Sequence, residues 1–239
     1  MDHKGTITCV GVGPGDPELL TLKAVRLIRE ASAIVFPGKD KDHSEALKIA
    51  GKAVPEIYEK ELLPLVMPMT RDEDLLHEAH IKAAQSIGKV LDQGKDMVYL
   101  TLGDPSIYCT FSYLKPLLEA DGYETAMVSG ITSFTASAAA LNISLAERDE
   151  PLCILPGSLS LNIIKELPGN LILMKSGKNI GDVKSALKKS SRDIYAVMNC
   201  GMEGEKKCYS VDDIPDDAGY YTLIIAKKPI IGEGCSNSD

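Results

Sequence analysis

At 239 residues, with 44% hydrophobic and 25% charged side chains, the chain is long enough for one large domain or two small ones with a proper core. Its net charge of −8 speaks against a nucleic-acid binder, which needs a basic face for phosphates, and no apolar run reaches membrane-spanning length. Six cysteines with no Cys-x-x-Cys pair read as buried reduced thiols, not a disulfide framework or zinc site, and point to a cytoplasmic protein.

The stretch TITCVGVGPGDPELLTLKAVRLI, residues 6–28, opens as a strand and passes through a glycine loop. It continues with apolar residues at helical spacing: Leu19, Leu20, Leu22, Val25, Leu27 and Ile28. AIVFP is a short buried strand ended by Pro37, and SEALKIAGKA a short helix. Residues 54–69, with Pro55, Pro64 and Pro68, read as irregular or edge-like. A long helix is expected from Thr70, which stands at capping-box spacing from Glu73. Its buried stripe is Leu76, Ala79, Ala83, Ile87, Val90 and Leu91, and Gly94 ends it. DMVYLTL is a central strand, and PSIYCTFSYLKPLLEA a helix that Pro116 should kink or shorten.

From Tyr123 the pattern restarts. YETAMVSG, PLCILPG, NLILMKSG, DIYAVMNCG and YYTLIIAKKP read as strands. Helices are expected over ITSFTASAAALN, 158–167 and 179–190, and the tail after Pro229 carries no periodicity. Such alternation predicts two α/β domains with mostly parallel or mixed sheets, divided at residues 1–124 and 125–239.

The glycine loop resembles a dinucleotide site, but Asp16 stands where G-x-G-x-x-G requires its third glycine. Asp16 reads as a helix N-cap with Pro17 at the first helical position, so its carboxylate would occupy the amides a phosphate needs. No G-K-[ST] follows, so a Walker loop is absent as well. Gly103-Asp104-Pro105 repeats the corner after a second apolar strand. Acidic corners of this kind either start helices or suit a ligand that is neutral or cationic, such as S-adenosylmethionine, which carries a sulfonium and no phosphate. His77 and His80 lie at i and i+3, not the i and i+4 of a zincin helix, so no metal site is assigned. Residues 175–192 concentrate Lys175, Lys178, Lys184, Lys188, Lys189 and Arg192 against one acid, Asp182. This run is either a solvated face or an anchor for a polyanion.

VGVGPGDPELLTLKAVRLI, PMTRD, YLTLGDPSIYCTFSYL and VSGITSFTASAAALNISLAERDE together resemble the tetrapyrrole methylase family, within it the precorrin-2 / cobalt-factor II C-20-methyltransferases of cobalamin biosynthesis. The resemblance implies a homodimer of two-domain subunits, with S-adenosylmethionine in a cleft between the domains beside a trough for the tetrapyrrole. It implies cofactor contacts from Pro14, Leu102, Gly103, Asp104 and Ile107, then from Thr132, Ser133, Met174, Lys175 and Ala196. The family's usual Pro-Gly-Ile is Ser129-Gly130-Ile131 here. The implied reaction is in-line methyl transfer to an electron-rich meso carbon, and no catalytic residue is assigned. Two alternatives stay open: a methyltransferase of the same fold with another acceptor, or a non-catalytic module that binds a nucleoside-like ligand.

Overall fold

The structure is a computed structural model and describes residues 4–68, 70, 72–157, 164 and 166–229. The chain divides into two compact units, Met1–Thr132 and Ser133–Asp239.

The first unit is built on five strands: β1 (Thr6–Gly11), β2 (Ala33–Pro37), β3 (Glu61–Leu65), β4 (Met97–Thr101) and β5 (Glu124–Val128). They lie in the order β3-β2-β4-β1-β5, and every pairing is parallel. Strands of a parallel sheet are covered on both faces and so read as continuous apolar runs. MVYLT of β4 is buried along its whole length. Pro64 has no amide to donate and sits in β3, an edge strand where that loss is tolerated. The helices are α1 (Leu22–Glu30), α2 (Glu45–Ala53), α3 (Glu73–Leu91) and α4 (Phe111–Ala120). Tyr99, Phe111, Ile87, Leu91, Leu114 and Leu118 join in one core between the sheet, α3 and α4.

Three helix starts differ from expectation. Asp16 caps a single 3-10 turn, Pro17–Leu19, after which Leu20 is extended; α1 begins later, with Thr21 Oγ1 accepting from the Ala24 amide. The cap of α3 is Asp72, whose Oδ1 accepts from the Asp74 and Leu75 amides, while Thr70 Oγ1 accepts from the Asp72 amide. Helix α4 starts at Phe111, well past Pro105, and runs through Pro116. Burial of Phe111, Leu114 and Leu118, each worth about 1.5–3 kcal/mol, outweighs the proline penalty of about 3 kcal/mol.

The division expected between residues 124 and 125 falls inside β5, after its first residue, Glu124. That strand pairs with β1 along Thr6↔Glu124 to Val10↔Val128 and so completes the first sheet, and the compact units part at 132/133.

The second unit holds β6 (Leu152–Pro156), β7 (Asn170–Met174), β8 (Asp193–Met198), β9 (Lys206–Cys208) and β10 (Thr222–Lys227), in the order β6-β7-β10-β8-β9. β6 and β7 are parallel, whereas β10 runs antiparallel to β7 and β8, and β9 to β8. Its helices include α5 (Ser133–Leu141) and α6 (Ile180–Lys188). The helix expected over 158–167 and the tail from residue 230 fall largely outside the described residues. The mixed α/β class expected from the sequence is the one observed.

Candidate functional site at the strand ends of the first unit

β1 is flanked by β4 and β5, with Gly11 level with Thr101 and Val10 level with Val128. Three loops therefore leave the carboxyl edge of the sheet side by side, the edge at which open α/β sheets bind ligands. The first two are stitched together: the Val12 amide donates to the Thr101 carbonyl at 2.9 Å, and the Gly103 amide to the Gly13 carbonyl at 2.8 Å. A Cβ on Gly11 would lie 2.5 Å from the Gly103 oxygen and 2.7 Å from the Gly130 nitrogen, and one on Gly130 would collide with that same oxygen. Glycine at 11 and 130 is thus required by backbone meeting backbone, whatever binds outside.

Asp104 fastens the second loop to the third. Oδ1 accepts from the Ser106 amide at 2.8 Å and from the Ser106 hydroxyl, and Oδ2 accepts from the Gly130 amide at 3.0 Å. The residue is only 9% exposed. Burial pushes its pKa up, but the bonds from Ser106, Gly130 and Ser129 outweigh that and hold the carboxyl below its ordinary value. At the first corner Asp16 Oδ1 accepts from the Glu18 amide at 2.9 Å, and Thr21 takes the Ala24 amide.

Both acids are thus used by the backbone of their own corners. The amides that would cradle a phosphate are taken by the chain's own side chains, so the corners are wrong for a dinucleotide. The same donor set fits S-adenosylmethionine, which has no phosphate to place and can be held by loop carbonyls and close backbone.

Of the residues expected to contact the cofactor, the structure brings Pro14, Leu102, Gly103 and Asp104 together on the two stitched loops. Pro14 is buried, Leu102 and Gly103 half-buried, and Ile107 follows one turn on, its amide donating to the Asp104 carbonyl at 3.2 Å. Thr132 closes the third loop. Tyr108 stands in the left-handed region, φ 49°, a conformation costing on the order of 1–3 kcal/mol for a non-glycine residue.

The remaining candidates belong to the second unit. Ser133 opens α5, Met174 ends β7 half-buried, and exposed Lys175 follows at φ 60°. Ala196 does not line an open edge: it is fully buried in the core of that unit, beside Ile224 in register and with Leu173 and Cys208 in the same cluster. Its side chain fills core volume and only its backbone is left to meet a ligand. The basic run is also used internally. Lys184 Nζ donates to the Ile214 carbonyl and pairs with Asp216 at 2.6 Å, Lys188 pairs with Asp212, and Arg192 donates to the carbonyls of Ile164, Leu167 and Gly169. Those three cations brace α6 and its flanks against neighbouring loops.

Sequence reasoning missed Ser106 and Gly130 as the partners of Asp104; the serine two residues after the acid was the available signal. Among the described residues no group of three or more His, Cys, Asp or Glu is placed to hold a metal, and no helix is long and apolar enough to cross a membrane. Among the described residues, Cys9, Cys109, Cys153, Cys200 and Cys208 form no disulfide. Burial, then Cys109, pushes the Cys9 thiol far up, so it stays protonated.

The model of the Tetrapyrrole (Corrin/Porphyrin) Methylases matches residues 6–211. A protein of Methanocaldococcus jannaschii named "Probable cobalt-precorrin-2 C(20)-methyltransferase" is 37% identical over 231 residues, covering 92% of this chain and 94% of that protein. A "Precorrin-2 C(20)-methyltransferase" of a Sinorhizobium species is 26% identical over 235 residues, again 92% and 94% of the two chains. Among solved structures, uroporphyrin-III C-methyltransferase from Thermus thermophilus, complexed with S-adenyl homocysteine, has the same fold at a TM-score of 0.65 and 21% identity, covering 93% of this chain and 97% of that one. With the stitched glycine loops of the first unit and a family match that reaches through most of the second, the chain belongs to the tetrapyrrole (corrin/porphyrin) methylases.

Proposed function

We propose that this protein transfers the methyl group of S-adenosylmethionine to carbon C-20 of a precorrin-2-type tetrapyrrole in cobalamin biosynthesis. The observation that carries the reading is the 37% identity, over nearly the whole of both chains, to a relative named for that reaction. Identity to the relative named for the metal-free substrate is lower, at 26%, which favours the cobalt-loaded form, cobalt-factor II, as the acceptor.

Pro14, Leu102, Gly103, Asp104 and Ile107 hold the cofactor from the first unit, chiefly through backbone, and Thr132, Ser133, Met174 and Lys175 continue the contact. S-adenosylmethionine supplies an electrophilic methyl on a sulfonium. The meso carbon donates an electron pair to that methyl as the carbon–sulfur bond breaks, leaving a neutral thioether. The C-20 proton then leaves, restoring the conjugation of the ring. Neither step needs a covalent bond to the protein. Its contribution is alignment, which is worth about 7–11 kcal/mol when two reactants are held in attack geometry. Asp104 serves this by fixing the β4 loop through Ser106 and Gly130. The working unit is a cytoplasmic homodimer in this reading.

Mass spectrometry of the tetrapyrrole after anaerobic incubation with S-adenosylmethionine tests it, with cobalt-factor II and precorrin-2 offered in parallel. One added methyl on the cobalt form, mapped to C-20, is expected. A methyl on the metal-free form alone reverses the metal assignment. Bound cofactor with no methyl on either sinks the substrate, and favours a methyltransferase with another acceptor or a binding module.

A further inference from the structure

The α3 column that faces the core carries Ala84, Ile87 and Leu91, all buried. One turn toward the start of the helix the same column presents His80, where packing alone calls for an apolar side chain. The His80 ring lies flat on Tyr113, centroids 5.0 Å apart and planes within 5°. Tyr113 is 62% exposed and belongs to the first turn of α4.

That turn is continuous with the cofactor loop. The Ile107 amide donates to the Asp104 carbonyl, the Ser112 amide to the Cys109 carbonyl, and the Tyr113 amide to the Thr110 carbonyl at 3.0 Å. Successive tight turns thus lead from Asp104 to Tyr113. Within them Tyr108 keeps its left-handed backbone with its ring half exposed. An exposed tyrosine ring offers a flat apolar face on which a broad conjugated ring can stack. Burial, and then nearby His77, hold the His80 pKa below its ordinary value, so the ring is an uncharged stacking partner at neutral pH.

We propose that the His80–Tyr113 stack is the platform on which one face of the tetrapyrrole rests, and that these rings position the macrocycle while leaving the cofactor untouched. The inference rests on the tetrapyrrole reading above and assigns it the surface that takes the acceptor.

The test is anaerobic absorbance titration of Tyr113→Ala, His80→Ala and His80→Phe with cobalt-factor II, beside calorimetric titration with S-adenosylhomocysteine. Tyr113→Ala and His80→Ala should raise the Kd for cobalt-factor II at least tenfold, with the S-adenosylhomocysteine Kd within twofold of wild type. His80→Phe keeps the flat ring and should stay within threefold of wild type for both ligands. Tyr113 is exposed, so its variant reports even if His80→Ala misfolds. Unchanged cobalt-factor II affinity in Tyr113→Ala overturns the platform, as does a parallel loss of S-adenosylhomocysteine binding by that variant. Wild type that binds S-adenosylhomocysteine but no tetrapyrrole overturns the function and the platform together, whereas wild-type binding with unaffected variants overturns the platform alone.

Discussion

Asp104 accepts the backbone amide of Gly130 at 3.0 Å, so one carboxylate joins the exits of β4 and β5, strands that flank β1 on opposite sides. An asparagine there can still accept from Ser106, but turning its amide group toward Gly130 sets donor against donor. Asp104→Asn should cost about 1–3 kcal/mol in urea unfolding and weaken S-adenosylmethionine binding several-fold by calorimetry. A variant that unfolds like wild type removes the clamp from the account.

The same carboxylate predicts a pH signature. Burial raises its pKa and its hydrogen bonds lower it further, so the folded value lies below the unfolded one of about 3.9. Its stabilisation is therefore complete above the unfolded value and is lost as pH falls through the folded value. Between pH 5 and pH 2.5 the stability gap between wild type and Asp104→Asn should narrow, as read by denaturant midpoints.

His80 acts in a different window. Its folded pKa is depressed by burial and then by His77, so the unfolded chain binds the proton first. Stability from this group is present above the unfolded value of about 6.5 and declines as pH falls below it. His80→Phe should lose less stability than wild type between pH 7 and pH 5 in paired urea titrations. Parallel losses would contradict the environment described for the ring.

At Gly130 an added methyl meets the Gly103 carbonyl and the Gly11 backbone, and none of these can rotate away. Gly130→Ala should destabilise the protein by about 1–3 kcal/mol and reduce cofactor affinity in the same variant, since the loops must part to admit it. Gly181→Ala, where a Cβ on helix α6 meets nothing within 4 Å, is the matched control and should be no less stable than wild type.

Lys184 has a side chain only 14% exposed, held by Asp216 and the Ile214 carbonyl. Lys184→Glu puts a carboxylate against a carbonyl and another carboxylate and should cost about 1–3 kcal/mol. Any loss of tetrapyrrole affinity should track the unfolded fraction measured by circular dichroism, and an affinity loss in fully folded protein would mark the basic run as a ligand anchor.

The architecture was readable because β1, β2 and β4 are short apolar runs separated by helical periodicity, and period is a local property. The corner chemistry was half readable. Asp16 caps within its own loop, as its spacing implied, but Asp104 finds Gly130 across 26 residues, and no local pattern announces that. β5 was grouped with the second unit because alternation continues through it without a break, and only its pairing with β1 decides the matter. β9 escaped notice since Lys206-Lys207-Cys208 has neither the length nor the apolarity of a strand and exists by virtue of β8. The cations at 184 and 188 looked unpaired because Asp216 and Asp212 lie far along the chain.

The place of β10 has a consequence for how the molecule is made. The last strand among the described residues is the middle strand of the second sheet, between β7 and β8. A ribosome can release a complete first sheet once residue 128 has emerged, but the second sheet has no centre until residues 222–227 appear. Until then β7 and β8 each present a bare edge, the feature that recruits foreign strands. A stop codon between the end of β8 and residue 222 would make that exposure permanent, so such truncations should yield aggregates in place of a shortened, soluble enzyme.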